Sequence, residues 1–122
     1  MTTLNHLLPE ENDGNIEYKW KLCDISHHKI HQLTTQMLFR LTEGNGCAEY
    51  YLGVTDKGGT AGILKSELNM TLLNLIECSR LLGARVVYYK IFIQPPDKQG
   101  IDRYCVHVKV HATTMPCDKI CV

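Results

Sequence analysis

The sequence has no long apolar run. No stretch approaches the ~18 residues that a transmembrane helix needs, so no membrane span is expected. Its start, Met1 to Asn12, holds neither a basic n-region nor an apolar h-region, so no secretory signal is expected. Neither sign of charge is in excess, since 13 Lys and Arg meet 13 Asp and Glu. That excludes a histone-like grip on nucleic acid through bulk charge. The chain also lacks a C-x-x-C pair, a G-x-x-x-x-G-K-[ST] phosphate loop and the aromatic strand motif of an RNA-recognition module. Internal repeats and low-complexity segments are missing too.

What is there reads as one domain. The chain has 122 residues, 44% apolar and 21% charged, which suits a globular protein with a single core. The neutral balance hides an asymmetry. Residues 1–17 carry Glu10, Glu11, Asp13 and Glu17 with no Lys or Arg, whereas residues 18–122 carry all 13 basic residues against 9 acidic ones. An acidic leader therefore precedes a mildly basic body, and a solvated tail is the plain reading of that leader. Six cysteines (Cys23, Cys47, Cys78, Cys105, Cys117 and Cys121) allow 15 disulfide pairings. Without a secretory signal, reduced thiols and a cytoplasmic location are expected.

Periodicity supplies the elements. Asp13-Gly14-Asn15 signals a turn. Ile16, Tyr18, Trp20 and Leu22 alternate with Glu17, Lys19, Lys21 and Cys23, which predicts a strand with one buried face. Asp24 and Ser26 are candidate N-caps for a helix over 26–43, where Ile30, Leu33, Met37, Leu38 and Leu41 fall at helical spacing. Gly44-Asn45-Gly46 ends it. Ala48 to Val54 alternate in a second strand. Asp56-Lys57-Gly58-Gly59 reads as a hairpin turn into a short strand over 60–63. A second helix over 64–82 buries Leu68, Leu72, Leu75, Ile76 and Leu82, and Gly83 caps it. Residues 85–94 are apolar on both faces, as in an interior strand. Val106, Val108 and Val110 alternate with Cys105, His107, Lys109 and His111 in a last strand.

This order predicts an α+β fold, a ferredoxin-like βαββαβ antiparallel sheet with two helices on one face and an extra C-terminal strand. Residues 1–14 form the leader, 15–113 the domain, and 114–122 a Cys-containing tail. One sheet face stays free of helices. Alternation assigns it Lys19, Lys21, Glu49, Tyr51, Lys90, His107, Lys109 and His111. Rings stack on bases and cations meet phosphates, so such a face suits RNA, and a merely solvated face gives the same pattern. Cys105, His107, His111, Cys117 and Cys121 have donor chemistry that zinc accepts, but their spacing matches no known finger. A nucleophilic Cys–His pair lacks a third group and a signature. Lys57-Gly58-Gly59-Thr60 is a turn rather than a phosphate loop, and His27, His28 and His31 lie on the surface turns of helix one. No metal, no cofactor and no catalysis are expected.

Three stretches carry a family resemblance. Leu8-Pro9-Glu10-Glu11-Asn12-Asp13-Gly14-Asn15-Ile16-Glu17-Tyr18-Lys19 is the first. Leu33-Thr34-Thr35-Gln36-Met37, with Arg40-Leu41 and Glu43-Gly44-Asn45-Gly46, is the second. Ala48, Tyr50, Gly53-Val54, Asp56, Gly58 and Gly62 continue it. Over residues 7–94 the chain resembles the N-terminal domain of the eukaryotic GTP-binding proteins 1 and 2, which are translational GTPases. In that family the domain precedes a GTPase domain, and with no phosphate loop here, GTP hydrolysis is not expected. A chain of this size and pattern is also similar to the microsporidian dormancy factors, small ribosome-bound proteins of resting spores.

The second resemblance implies binding at the E site of the small ribosomal subunit near the mRNA exit, where the protein excludes tRNA and inhibits translation. The implied partners are rRNA and ribosomal proteins of that particle. No membrane and no DNA are expected, and the chain is expected to act as a monomer. Phosphate contacts are assigned to Lys19, Lys21, Lys90, His107 and Lys109, with Arg40 and Lys57 as second choices. The alternatives are a non-catalytic adaptor for a translational GTPase or RNA-decay factor, and a zinc-dependent or thiol enzyme.

Overall fold

Ser26 starts the first helix because its Oγ accepts from Lys29 N at 3.1 Å, filling one of the orphan N–H groups of the first turn. A computed structural model describes residues 2–113 of the chain. The helix, α1, runs His27–Glu43 and follows strand β1, Ile16–Lys19. It stops at Gly44, where a Cβ would lie 1.8 Å from Cys47 O. The left-handed turn that follows is made by Asn45 and Gly46. Strand β2 (Cys47–Leu52), helix α2 (Lys65–Leu81), strand β3 (Ala84–Gln94) and strand β4 (Arg103–Ala112) complete the order.

The result is an α+β fold with two helices on one face of a four-stranded sheet, in the order β1-β2-β4-β3. That order is roughly compatible with a ferredoxin-like plan carrying an added strand. β4 is the central strand beside β2, and Val106, Val108 and Val110 are fully buried on it. They meet Ala48, Tyr50 and Leu52 of β2 beneath Leu33, Met37 and Leu41 of α1 and Leu68, Leu75 and Cys78 of α2.

Four details differ from the sequence expectation. The sheet is mixed rather than wholly antiparallel, because β1 and β2 run parallel and α1 supplies the crossover that parallel strands need. The strand expected over 60–63 is a single bridge, Ile63 to Tyr104. Here Gly53 and Gly62 take positive φ while the chain crosses β4 closely, and a Cβ at either would lie under 3 Å from the Tyr104 backbone. β3 is an edge strand, not an interior one. Its apolar residues on both faces therefore do not reflect burial by strands on both sides. Finally, β1 is turned over: Glu17 and Lys19 point to the helix side, and Tyr18 points to the other face.

A leader segment seals one end of that other face. Leu4 and Leu7 pack against Tyr18, Val54 and Cys105, with Tyr51 and Phe92 at the margin. Leu7 N donates to Gly58 O at 2.9 Å and Glu10 N to Asp56 O at 2.7 Å. Gln94, only 3% exposed, accepts from Leu4 N at 2.8 Å and donates to Leu4 O at 2.9 Å and Thr60 O at 2.6 Å. The leader's second anchor is Arg40. Its guanidinium donates to the carbonyls of Glu11, Asn12, Asp13 and Gly14 and to Glu17 Oε1 at 2.8 Å. Glu17 is 2% exposed, and a carboxylate buried that deeply is tolerated only because Arg40 and Lys19 meet it. No buried side-chain polar atom among the described residues lacks a partner. The tail assigned to 114–122 lies outside the described residues.

Candidate nucleic-acid interface

The strand register builds the site on the helix-free face. Tyr51 on β2 pairs with His107 on β4, and His107 pairs with Lys90 on β3. One step along, Glu49 pairs with Lys109, and Lys109 with Tyr88. Side chains at i and i+2 share a face, so these two rows lie side by side. The Tyr51 and His107 rings stack at 4.5 Å with an interplanar angle of 12°. Tyr88 meets His107 edge-on at 5.9 Å. Tyr18 meets Tyr51 at 5.9 Å and 90°, which joins the platform to the sealed end.

Charge is attached to these rings. Lys109 Nζ lies 5.3 Å from the Tyr88 ring centroid, and Lys90 Nζ lies 5.2 Å from that of Phe92, so both ammonium groups are held over aromatic faces. His107 Nε2 lies 2.7 Å from Glu49 Oε1, which fixes the orientation of the ring. Burial holds the Tyr51 phenol above its usual value, helped by the nearby Glu49 carboxylate, so it stays a neutral donor. Arg85, opposite His111 and exposed, adds a third cation, and among the described residues Glu49 is the one carboxylate in these two rows. The face thus offers rings for base stacking and cations for phosphate within one patch.

The residues expected on this face separate into two groups. Glu49, Tyr51, Lys90, His107, Lys109 and His111 lie on it. Lys19 and Lys21 were expected there and lie elsewhere. Lys19 points to the α1 side, 3.3 Å from Glu17, because β1 is turned over. Lys21 follows β1 and its Nζ donates to Glu67 at 2.7 Å, an exposed ion pair. Arg40 is buried, and its guanidinium is engaged by Glu17 and the leader carbonyls, so it offers nothing to a phosphate. Lys57 is exposed in the 55–59 turn, outside the two rows.

Sequence reading missed Tyr88 and Arg85. The alternation that places Lys90 also places Tyr88 two residues earlier, so that signal was present. Arg85 depends on a register shift between Val86 and Tyr88, which moves Val86 to the helix side opposite Val110.

The thiol and metal readings meet a specific obstacle. Cys105 shares the strand face of His107 and His111, but it lies under the leader. Its Sγ donates to Gly53 O at 3.4 Å and Thr60 O at 3.6 Å. Burial pushes its thiol up to about 12, far from a nucleophile or ligand poised near neutrality. Cys23, Cys47, Cys78 and Cys105 are all free thiols. Among the described residues no group of three His, Cys, Asp or Glu is placed to hold a metal ion. Among the same residues no helix is long and apolar enough to cross a membrane.

Comparison with known proteins adds a second line of observation. No family model matches the chain. GTP-binding protein 2 of Mus musculus and that of Homo sapiens are each 42% identical to it over 81 residues, which is 66% of this chain. An uncharacterized protein of Acanthamoeba polyphaga mimivirus is 31% identical over 78 residues, covering 63% of this chain and 42% of the viral protein. The match spans only 14% of the length of GTP-binding protein 2. The chain is therefore similar, over about two thirds of itself, to a short segment of a much longer GTP-binding protein.

Proposed function

We propose that this chain is a non-catalytic ribosome-binding dormancy factor of the cytoplasm. It seats its helix-free sheet face on rRNA of the small ribosomal subunit, in the E-site region near the mRNA exit. There it blocks tRNA and holds the ribosome idle. The observation that carries the RNA contact is the half-buried, stacked Tyr51–His107 pair, flanked by exposed Tyr88 and Lys90 and by Lys109 on one platform. Each part has a task. Tyr51, His107 and Tyr88 offer ring faces and edges to unpaired bases. Lys90, Lys109 and Arg85 meet phosphates. The sealed end under Leu4 and Leu7 packs directly beside the platform and reaches it through Tyr51.

The similarity to a segment of GTP-binding protein 2 supports a role in translation. The E-site placement rests on the resemblance to the microsporidian dormancy factors. A neutral chain suits a composite site of rRNA and ribosomal proteins, where shape and local charge matter more than bulk charge. The experiment is co-sedimentation of the protein with purified small ribosomal subunits at moderate salt, with deacylated tRNA as competitor. Binding that tRNA displaces supports the reading. Failure to bind at all, or retention of full binding by the Lys90→Glu/Lys109→Glu variant, ends it.

A second reading is favoured by the same similarity: an adaptor that works beside a separate translational GTPase. Such an adaptor binds the ribosomal particle without competing with tRNA, so the competition arm separates the two.

A further inference from the structure

The free edge of the sheet carries a separate surface. β3 is the last strand in the sheet, so among the described residues the backbone groups on its outer side have no further strand to pair with. At one end the edge already accepts an extended segment. Ile93 N donates to Thr2 O at 3.2 Å, and Thr3 Oγ1 donates to Ile93 O at 3.0 Å. The two-residue alternation that turns the Ile93 backbone groups outward does the same at Ile91 and Tyr89. Among the described residues, no segment covers the edge there.

Beside that bare stretch lies an apolar groove between β3 and α2. Leu72, Leu73 and Ile76 of α2 face Val86, Val87 and Tyr89 of β3 across it. Leu73 is 61% exposed and Tyr89 59%, unusual values for large side chains in one contiguous strip. On the opposite side of the same edge stand Arg85 and Lys90, both exposed.

We propose that β3 is a docking edge for an extended protein segment in which apolar and acidic residues alternate. The segment adds as a further strand outside Tyr89 and Ile91. Its backbone pairs with their outward N–H and C=O groups. Its side chains then alternate between the two sides of the sheet. Those on the helix side fill the groove over Leu73 and Ile76. Those on the other side lie beside Arg85 and Lys90, which favours carboxylates. A second copy of this chain fits the pattern worse. An antiparallel β3–β3 pair centred on Val87 and Tyr88 sets Arg85 of one copy beside Lys90 of the other, like charge against like.

The test uses the full chain and three capped octapeptides: alternating Val and Glu, alternating Val and Lys, and the Val/Glu composition sorted into two blocks. Amide shifts and hydrogen exchange are read by NMR. The alternating Val/Glu peptide is expected to shift residues 84–91 and to slow exchange at Tyr89 and Ile91. The lysine and block peptides are expected to bind at least about tenfold more weakly. Two variants keep the fold while removing the dock. Tyr89→Pro deletes an outward N–H that β4 does not use, and Leu73→Glu places a charge in the groove. Each is expected to lower affinity at least about tenfold. Equal binding of the lysine peptide overturns the proposal, as does the absence of shifts at 84–91. So does exchange at Tyr89 and Ile91 that slows with protein concentration alone, which gives the edge to a second copy. Displacement of the peptide from these amides by an RNA oligomer that shifts them itself gives the edge to nucleic acid.

Discussion

At one end of the helix-free face, Tyr18, Val54 and Cys105 lie under Leu4 and Leu7; at the other, Tyr51, His107, Tyr88 and Lys109 are left in contact with solvent. The strands are the same and the alternation is the same. The difference is the leader. The side chains of Gln94 and Arg40 hold it down by hydrogen bonds to its backbone, and Leu4 and Leu7 convert one end of the sheet face into a second small core. The bare half keeps its aromatic rings available because the leader turns away at Glu10 toward β1, whose Tyr18 N donates to the Glu10 carboxylate. The ring-and-cation half thus sits directly beside a packed wall.

The comparison breaks most severely at Arg40. Arg40→Ala strands the Glu17 carboxylate in the core and releases four leader carbonyls. Loss of one partner of a buried pair costs about 3–5 kcal/mol. Urea unfolding is expected to show a loss of that size, and the Arg40→Met/Glu17→Leu double variant is expected to lose less than Arg40→Ala alone. Retention of wild-type stability by Arg40→Ala refutes the anchor.

A smaller break targets the sealed half. Gln94→Ala removes two leader contacts and leaves the Leu4 and Thr60 groups to find water, at a cost of about 1–3 kcal/mol. The accompanying readout is the Cys105 thiol. Burial holds its pKa at about 12, so the thiol stays protonated at pH 8. Native Cys105 is expected to resist a thiol reagent, and Gln94→Ala is expected to speed its modification several-fold. Mass-spectrometric mapping of the labelled cysteine decides it.

The bare half is tested through its cations. Lys90→Glu/Lys109→Glu is expected to weaken binding to small ribosomal subunits at least tenfold, about 1.4 kcal/mol or more, and to flatten the salt dependence by about two phosphate contacts. Lys21→Glu, which disturbs only an exposed ion pair with Glu67, is expected to change binding less than twofold. Equal effects from the two variants erase the distinction between the faces.

The smallest expected effect is a pH dependence of the leader. Burial raises the Glu10 carboxyl above its ordinary value of 4.5, with Glu17 adding repulsion. A raised acid disfavours the folded state once ionised. Glu10's own contribution to the leader's hold is therefore fully present below pH 4.5 and is lost as pH rises from there through the raised folded value. Glu10→Gln is expected to flatten that change in leader amide exchange, corrected for intrinsic rates. An unchanged slope in the variant assigns it to another group.

Much of this architecture was readable from residues. Helical spacing located α1 and α2 to within a residue or two, since Leu33, Met37, Leu41, Leu68 and Leu75 repeat at 3.6. Alternation placed Tyr51, His107 and Lys109 on a common face, because successive strand side chains must point opposite ways. The orientation of β1 was misjudged from that same rule. Alternation assigns Ile16, Tyr18, Trp20 and Leu22 to one buried face, and Leu22 does lie in the core under the helices. The structure instead gives Tyr18 to the leader and puts Glu17 in the core, a choice that only a distant arginine on α1 makes tolerable. Ile76 was assigned to the buried face of α2 and is exposed, while Thr71 and Ser79 are buried. In helix packing the crossing angle decides which residues at the margin of an apolar stripe are covered.

The sequence alone determined the number of helices, the two periodicities and the alternating ring-and-cation pattern along β2 and β4. These follow from local geometry, where side-chain direction is set by neighbours two to four positions away. Tertiary structure decided which cations stay free, which half of the face is sealed and which strand is left at the edge. Those outcomes depend on partners far apart in the chain: Glu17 on Arg40, Lys21 on Glu67, Leu4 on Gln94. A lysine's availability is a property of the carboxylate that the fold brings to it, and no local pattern encodes that distance.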